Sequence, residues 1–134
     1  MNIRLNELNY QEWLKKASDD ELNAKSILTH RDGTPSLVCF ISQQMAEKYL
    51  KALLILKNKN FPKIHDLLGL ASLLLGFLSE DELDKCKESL LLLNRYYTET
   101  RYPGVFSEFS WKDAEEAFAA ANKVKEFVLN KINQ

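Results

Sequence analysis

Residues 36–58 read SLVCFISQQMAEKYLKALLILKN, and the fold turns on which sides of this segment are apolar. At about 100° per residue, Val38, Ile41, Met45, Tyr49, Ala52, Leu53 and Leu56 form one broad stripe of a helix. Gln44, Glu47 and Lys51 line up with one another nearly opposite that stripe. Phe40, Leu54 and Ile55 fall on or beside the polar side, where a plain surface helix carries no large apolar groups. Two arrangements satisfy this pattern. The helix is central to a bundle, or its polar side meets a second chain, and the spacing favours both in part.

The flanking segments carry helical spacing as well. A first helix is expected over residues 10–29, with Trp13, Leu14, Ala17, Leu22, Ile27 and Leu28 as its core. Gly33 and Pro35 then supply turn chemistry, one permitting positive φ and the other disfavouring helix in the residue before it. The second helix spans residues 36–58 and closes at Asn60-Phe61-Pro62. A third runs over residues 65–77 and carries Leu67, Leu68, Leu70, Leu73, Leu74 and Leu75. Ser79-x-x-Glu82 has the form of a capping box and opens a fourth helix that reaches about Glu99, ahead of Pro103-Gly104. Ser110-x-x-Asp113 opens the fifth, which reaches about Lys131. Its Ala114, Ala117 and Ala121 leave room for a close neighbour.

These segments predict an all-α fold, an up-and-down antiparallel bundle of four to five helices, with residues 1–134 as one domain. Four glycines and three prolines are too few for a turn-rich sandwich or barrel. The 134 residues leave no room for a TIM barrel or for a Rossmann domain with a companion domain. Apolar residues make up 46% of the chain and charged ones 28%, a globular balance.

Eighteen Lys and Arg against nineteen Asp and Glu give a net charge of −1, which disfavours broad gripping of long nucleic acid. Locally the balance differs. Lys48, Lys51, Lys57, Lys59 and Lys63 have no acid among them, whereas residues 79–88 are mostly acidic. Solvated faces of opposite sign explain this most simply, and a basic rim beside a ligand pocket is the sharper alternative. Cys39 and Cys86 sit in apolar helical patterns without a CxxC motif, which fits buried free thiols and a cytoplasmic location. Apolar runs such as residues 52–56 are too short to cross a membrane, and the first residues lack a signal-peptide core.

Two stretches carry candidate chemistry. His65-Asp66 follows Pro62 at an expected helix start; local sequence favours Asp66 as a cap, and the alternative points the pair into a site. Residues 95–104, RYYTETRYPG, gather two arginines and three tyrosines where the fourth helix ends. Arg binds phosphate or carboxylate in bidentate fashion and Tyr stacks on a base, while packing and ion pairing within the bundle explain them equally well. His30 reads as a loop residue. No metal cluster, di-iron Glu-x-x-His, Gly-rich phosphate loop, GxSxG or HExxH occurs, so neither metal nor cofactor is expected.

The whole pattern resembles the HEPN family (higher eukaryotes and prokaryotes nucleotide-binding domain). The resemblance rests on Trp13-Leu14-Lys15-Lys16-Ala17 with Asp20 and Ala24, then on residues 39–52, CFISQQMAEKYLKA. Ile64-His65-Asp66-Leu67, Thr100-Arg101-Tyr102-Pro103 and the Ala-rich last helix complete it. It implies a bundle that commonly forms a homodimer, binds nucleotide or RNA, and pairs with a small nucleotidyltransferase-fold protein in toxin–antitoxin-like or nucleotide-handling systems. On that footing Lys48, Lys51 and Arg101 would face phosphate, and Tyr97 or Tyr102 would contact base or sugar. Gln44, Glu47, His65 and Asp66 would orient them. Ribonuclease members of the family place a His four to six residues after an Arg. No His follows Arg101 in this chain, and Arg95 and Arg31 fail the same test. The expectation is therefore a binding protein rather than an enzyme. A ribonuclease using His65 with Arg101 is one alternative, and a purely structural dimerisation module is another.

Overall fold

Turn and cap chemistry sets the helix ends. The computed structural model describes residues 3–61, 63–99 and 108–134, with side chains described for 9–61, 63–97 and 108–134. Five helices follow in order: α1 Ile3–His30, α2 Pro35–Leu56, α3 Leu67–Ser72, α4 Glu80–Glu99 and α5 Trp111–Ile132. The chain is an all-α helical bundle, and no strand occurs among the described residues. Residues 100–107, which include Arg101, Tyr102, Pro103 and Gly104, lie outside the described residues, as does Pro62.

α1 begins well before Tyr10, since residues 3–10 hold neither Gly nor Pro to stop it. It ends on His30, the expected loop residue, whose Nδ1 donates to the Ser26 carbonyl at 2.9 Å. Arg31 (φ 57°) and Gly33 (φ 145°) then turn the chain. Thr34 caps α2 by accepting from the Leu37 amide at 3.2 Å, with Pro35 in the first helical position. Both serine caps form as the sequence predicts. Ser79 Oγ accepts from the Glu82 amide at 3.2 Å, and Ser110 and Asp113 cap one another reciprocally.

α3 is shorter than its leucine run suggests. After Ser72 the chain tightens into bonds between residues three apart, Leu73 to Leu70, Leu74 to Ala71 and Leu75 to Ser72, then reverses at Gly76 (φ 104°). Leu67, Leu70 and Leu74 remain fully buried, while Leu75 and Phe77 are half exposed. The leucines beyond Ser72 thus belong to a turn that only partly covers the core.

α2 touches each of the other four helices, and it is buried on nearly every side. Val38, Met45, Leu50, Leu53 and Leu54 are fully enclosed; of the three apolar residues beside its polar row, Leu54 is buried by the same chain while Phe40 and Ile55 are only partly covered. Each such side chain contributes about 1.5–3 kcal/mol by leaving water. Small residues let the neighbours approach: Ala17 and Ala24 on α1, Ala46 on α2, and Ala114, Ala117 and Ala121 on α5 are all fully buried. Leu22, expected in the core, is instead 67% exposed, because α1 turns that side away from the bundle.

Candidate functional site

The polar row of α2 runs into the interior. Gln43, Glu47 and Lys51 stand four residues apart, on successive turns of one helix side, and all three are buried. Lys51 Nζ donates to Glu47 Oε2 at 3.1 Å and lies 5.3 Å and 5.4 Å from the ring centroids of Trp13 and Phe61. A carboxylate and two aromatic faces thereby replace the water this ammonium has lost. Glu47 Oε1 in turn accepts from His65 Nδ1 at 2.7 Å and from Gln43 Nε2 at 3.5 Å. Gln43 is itself filled on both ends. Its Nε2 donates to the His65 carbonyl at 3.1 Å, and its Oε1 accepts from Gln44 Nε2 at 2.6 Å.

His65 sits between α2 and α3, held by its backbone to Gln43 and by its ring to Glu47. An ionised carboxylate only accepts, so the Glu47 contact places the proton of a neutral His65 on Nδ1 and leaves Nε2 as an acceptor. The imidazole stacks on Tyr97 of α4 at 4.0 Å and 16°, and Phe40 stands 6.2 Å beyond Tyr97. The next residues are tied to α4. Asn94 Oδ1 accepts from the Leu67 amide at 2.7 Å, and Asn94 Nδ2 donates to Asp66 Oδ1 at 2.9 Å. The same Asp66 oxygen accepts from the Leu68 amide at 3.1 Å, the cap that the sequence predicts. Ile64, His65, Asp66, Asn94 and Tyr97 line an open cleft of about 380 Å³. The His65 side chain remains 42% exposed there, above a closed floor of charge.

The sequence-predicted residues divide into three groups. Glu47, Lys51, His65 and Tyr97 come together, Gln44 joins them through Gln43, and Asp66 stands beside them in the cleft. Lys48 is drawn the other way, to Asp20 Oδ2 on α1 at 2.6 Å. Burial raises the Asp20 carboxyl above its ordinary range, and the Lys48 hydrogen bond works against that rise. The Lys51 ammonium is closed inside the bundle and offers nothing to a phosphate in the cleft. Arg101 and Tyr102 lie outside the described residues.

Gln43, Asn94, Phe40 and Ile64 were not among the expected site residues. Gln43 stands four residues before Glu47, a spacing that signals it; Asn94 is 28 residues from Asp66 and gives no local sign. Neither thiol is activated, since burial pushes Cys39 up to about 12 and also raises Cys86. Among the described residues no group of three or more His, Cys, Asp or Glu gathers as a metal site. None of their helices is long and apolar enough to cross a membrane. What the cleft offers is a planar aromatic wall, a carboxylate edge and an imidazole nitrogen.

The HEPN domain family model matches residues 10–132. The chain is also similar to the crystal structure of TT1696 from Thermus thermophilus, at 29% identity over 91% of this chain and 97% of that one, with a TM-score of 0.77. A second similar structure is ST0689, an archaeal HEPN homologue, at 27% identity over 92% of this chain and 97% of that one, with a TM-score of 0.70. None of the curated proteins compared with the chain matches it.

Proposed function

The chain belongs to the HEPN family, and we propose that it binds nucleotide or RNA in the His65–Tyr97 cleft as the non-catalytic partner of a nucleotidyltransferase-fold protein. The pair is toxin–antitoxin-like or handles nucleotides, and the HEPN chain enters it as a homodimer. One observation carries the binding reading. A stacked imidazole and phenol border an open cleft while the buried Gln43–Glu47–Lys51 row fixes the imidazole from beneath. A planar base finds a stacking surface there, and the fixed ring loses little freedom on binding. Arg101 and Tyr102 act from the segment after α4 on phosphate and sugar. A purely structural role would not need the floor to open on a half-exposed ring.

Base–aromatic stacking is worth about 1–3 kcal/mol. His65→Ala is therefore expected to weaken binding of adenosine monophosphate or a short single-stranded RNA roughly tenfold. Calorimetric titration of the chain, alone and with a nucleotidyltransferase-fold partner, checks this. No binding in either setting removes the proposal and leaves the structural dimerisation module.

The ribonuclease reading has its own specific support. With Nδ1 held by Glu47, the Nε2 of His65 can accept a proton from a 2′-hydroxyl, and Arg101 would then stabilise the phosphate. The missing His after Arg101 weighs against it. Total RNA left intact at high protein concentration ends this second reading.

A further inference from the structure

The Gln43–Glu47–Lys51 floor of the cleft has its hydrogen bonds filled from within the fold, whereas its rim keeps two open acceptors among the described residues, His65 Nε2 and one oxygen of the Asp66 carboxylate. Asp66 Oδ1 takes two donors, the Leu68 amide and Asn94 Nδ2. Asp66 Oδ2 takes none among the described residues. Beside that oxygen stands Gly69. A Cβ there would come within 3.1 Å of Asp66 Oδ2 and 3.3 Å of Ile64 Cδ1, and both residues line the cleft. Gly69 is not in the left-handed region, so its backbone does not require glycine, and glycine within a helix costs about 0.5–1 kcal/mol relative to alanine. The bare position keeps the neighbourhood of Oδ2 open.

Charge sharpens the picture. Lys48 pairs with Asp20 and Lys51 with Glu47, so of the three expected phosphate ligands the two lysines do not reach the cleft, and Arg101 lies outside the described residues. Among the described lining residues the fixed charge is the negative charge of Asp66. A cleft of this kind repels phosphate and welcomes a hydrogen-bond donor on a planar ring. We infer that it holds the base end of its ligand, and that Asp66 Oδ2 selects bases presenting an amino group over those presenting a carbonyl at the same place. The inference rests on the nucleotide-binding reading of this cleft and specifies which part of the ligand it reads.

Two ligand pairs differ in the relevant group, adenosine against inosine and cytidine against uridine. Hydrogen bonds to a charged group are the strong ones, so the amino member of each pair is expected to bind about tenfold or more tightly. Asp66→Asn supplies the decisive comparison. Asparagine also caps helices well. The Leu68 amide and Asn94 Nδ2 pin its oxygen where Oδ1 stood, which turns the amide nitrogen, now a donor, toward the cleft. The preference should then vanish or reverse in favour of inosine and uridine. Gly69→Ala should weaken adenosine binding several-fold while its thermal unfolding shows an intact fold.

Nucleosides that bind in a His65-dependent way with no preference, or with a preference unchanged in Asp66→Asn, overturn the inference and leave the nucleotide-binding reading standing. Unaltered adenosine binding by Gly69→Ala overturns it as well. If no nucleoside, nucleotide or RNA binds at all, the nucleotide-binding reading falls and the inference with it.

Discussion

Glu47→Ala is expected to lower the unfolding free energy by about 3–5 kcal/mol, the range for removing one partner of a buried ion pair. The Glu47 and Lys51 side chains are only 5% and 9% exposed, so solvent screens their interaction little. Taking the carboxylate away strands three groups at once. Lys51 keeps its ammonium between Trp13 and Phe61 without a counter-charge, His65 Nδ1 loses its acceptor, and Gln43 loses one of its two. A Glu47→Leu, Lys51→Met double variant separates these causes. It removes both charges and retains a long apolar stem against the two rings, so it should recover much of the lost stability. Guanidinium unfolding of the three proteins reads the difference as a shift in midpoint at constant slope. A loss below about 1 kcal/mol in Glu47→Ala would mean that water reaches the pair and that the row is a surface feature.

Leu54→Ala is expected to cost about 2–5 kcal/mol, while Leu22→Ala should stay within about 0.5 kcal/mol. The contrast inverts what helical spacing alone suggests. Leu54 falls beside the polar row of α2, yet it is fully buried; Leu22 belongs to the apolar pattern of α1, yet it is 67% exposed. Thermal or chemical unfolding of the two variants decides the matter directly. Equal effects would contradict the placement of α2 at the centre of the bundle.

That inversion shows why some of the molecule can be read from its sequence and some cannot. Caps and turns are local, so Ser79, Ser110, Asp66, Gly33 and Pro35 announce the helix boundaries through their own chemistry. Periodicity finds the α5 face, because Ala114, Ala117, Ala121 and Val124 point one way and all are buried. Periodicity ranks the sides of a helix, but it does not say how many of them neighbours will cover. For α2 nearly every side meets another helix, and Glu47 and Lys51 of the polar row that looks solvated are enclosed. The site divides along the same line. Glu47 and Lys51 announce themselves by spacing, and His65-Asp66 by its place before an apolar run. Asn94 joins the cleft only because α4 passes beside the start of α3, which no local rule encodes.

The central position of α2 also divides the cleft by how readily its parts open. Amides of a helix enclosed on nearly every side lie toward the slowest-exchanging end of a fold, which places Gln43 and Glu47 in the best-protected part of the chain. His65 and Asp66 stand on a connecting segment and the cap of a six-residue helix, fastened to the rest by side-chain hydrogen bonds. Segments held in this way belong to less protected units than an enclosed helix does. The floor of the cleft thus belongs to the best-protected helix, while the wall owes its place to the hydrogen bonds by which Glu47 and Gln43 hold His65.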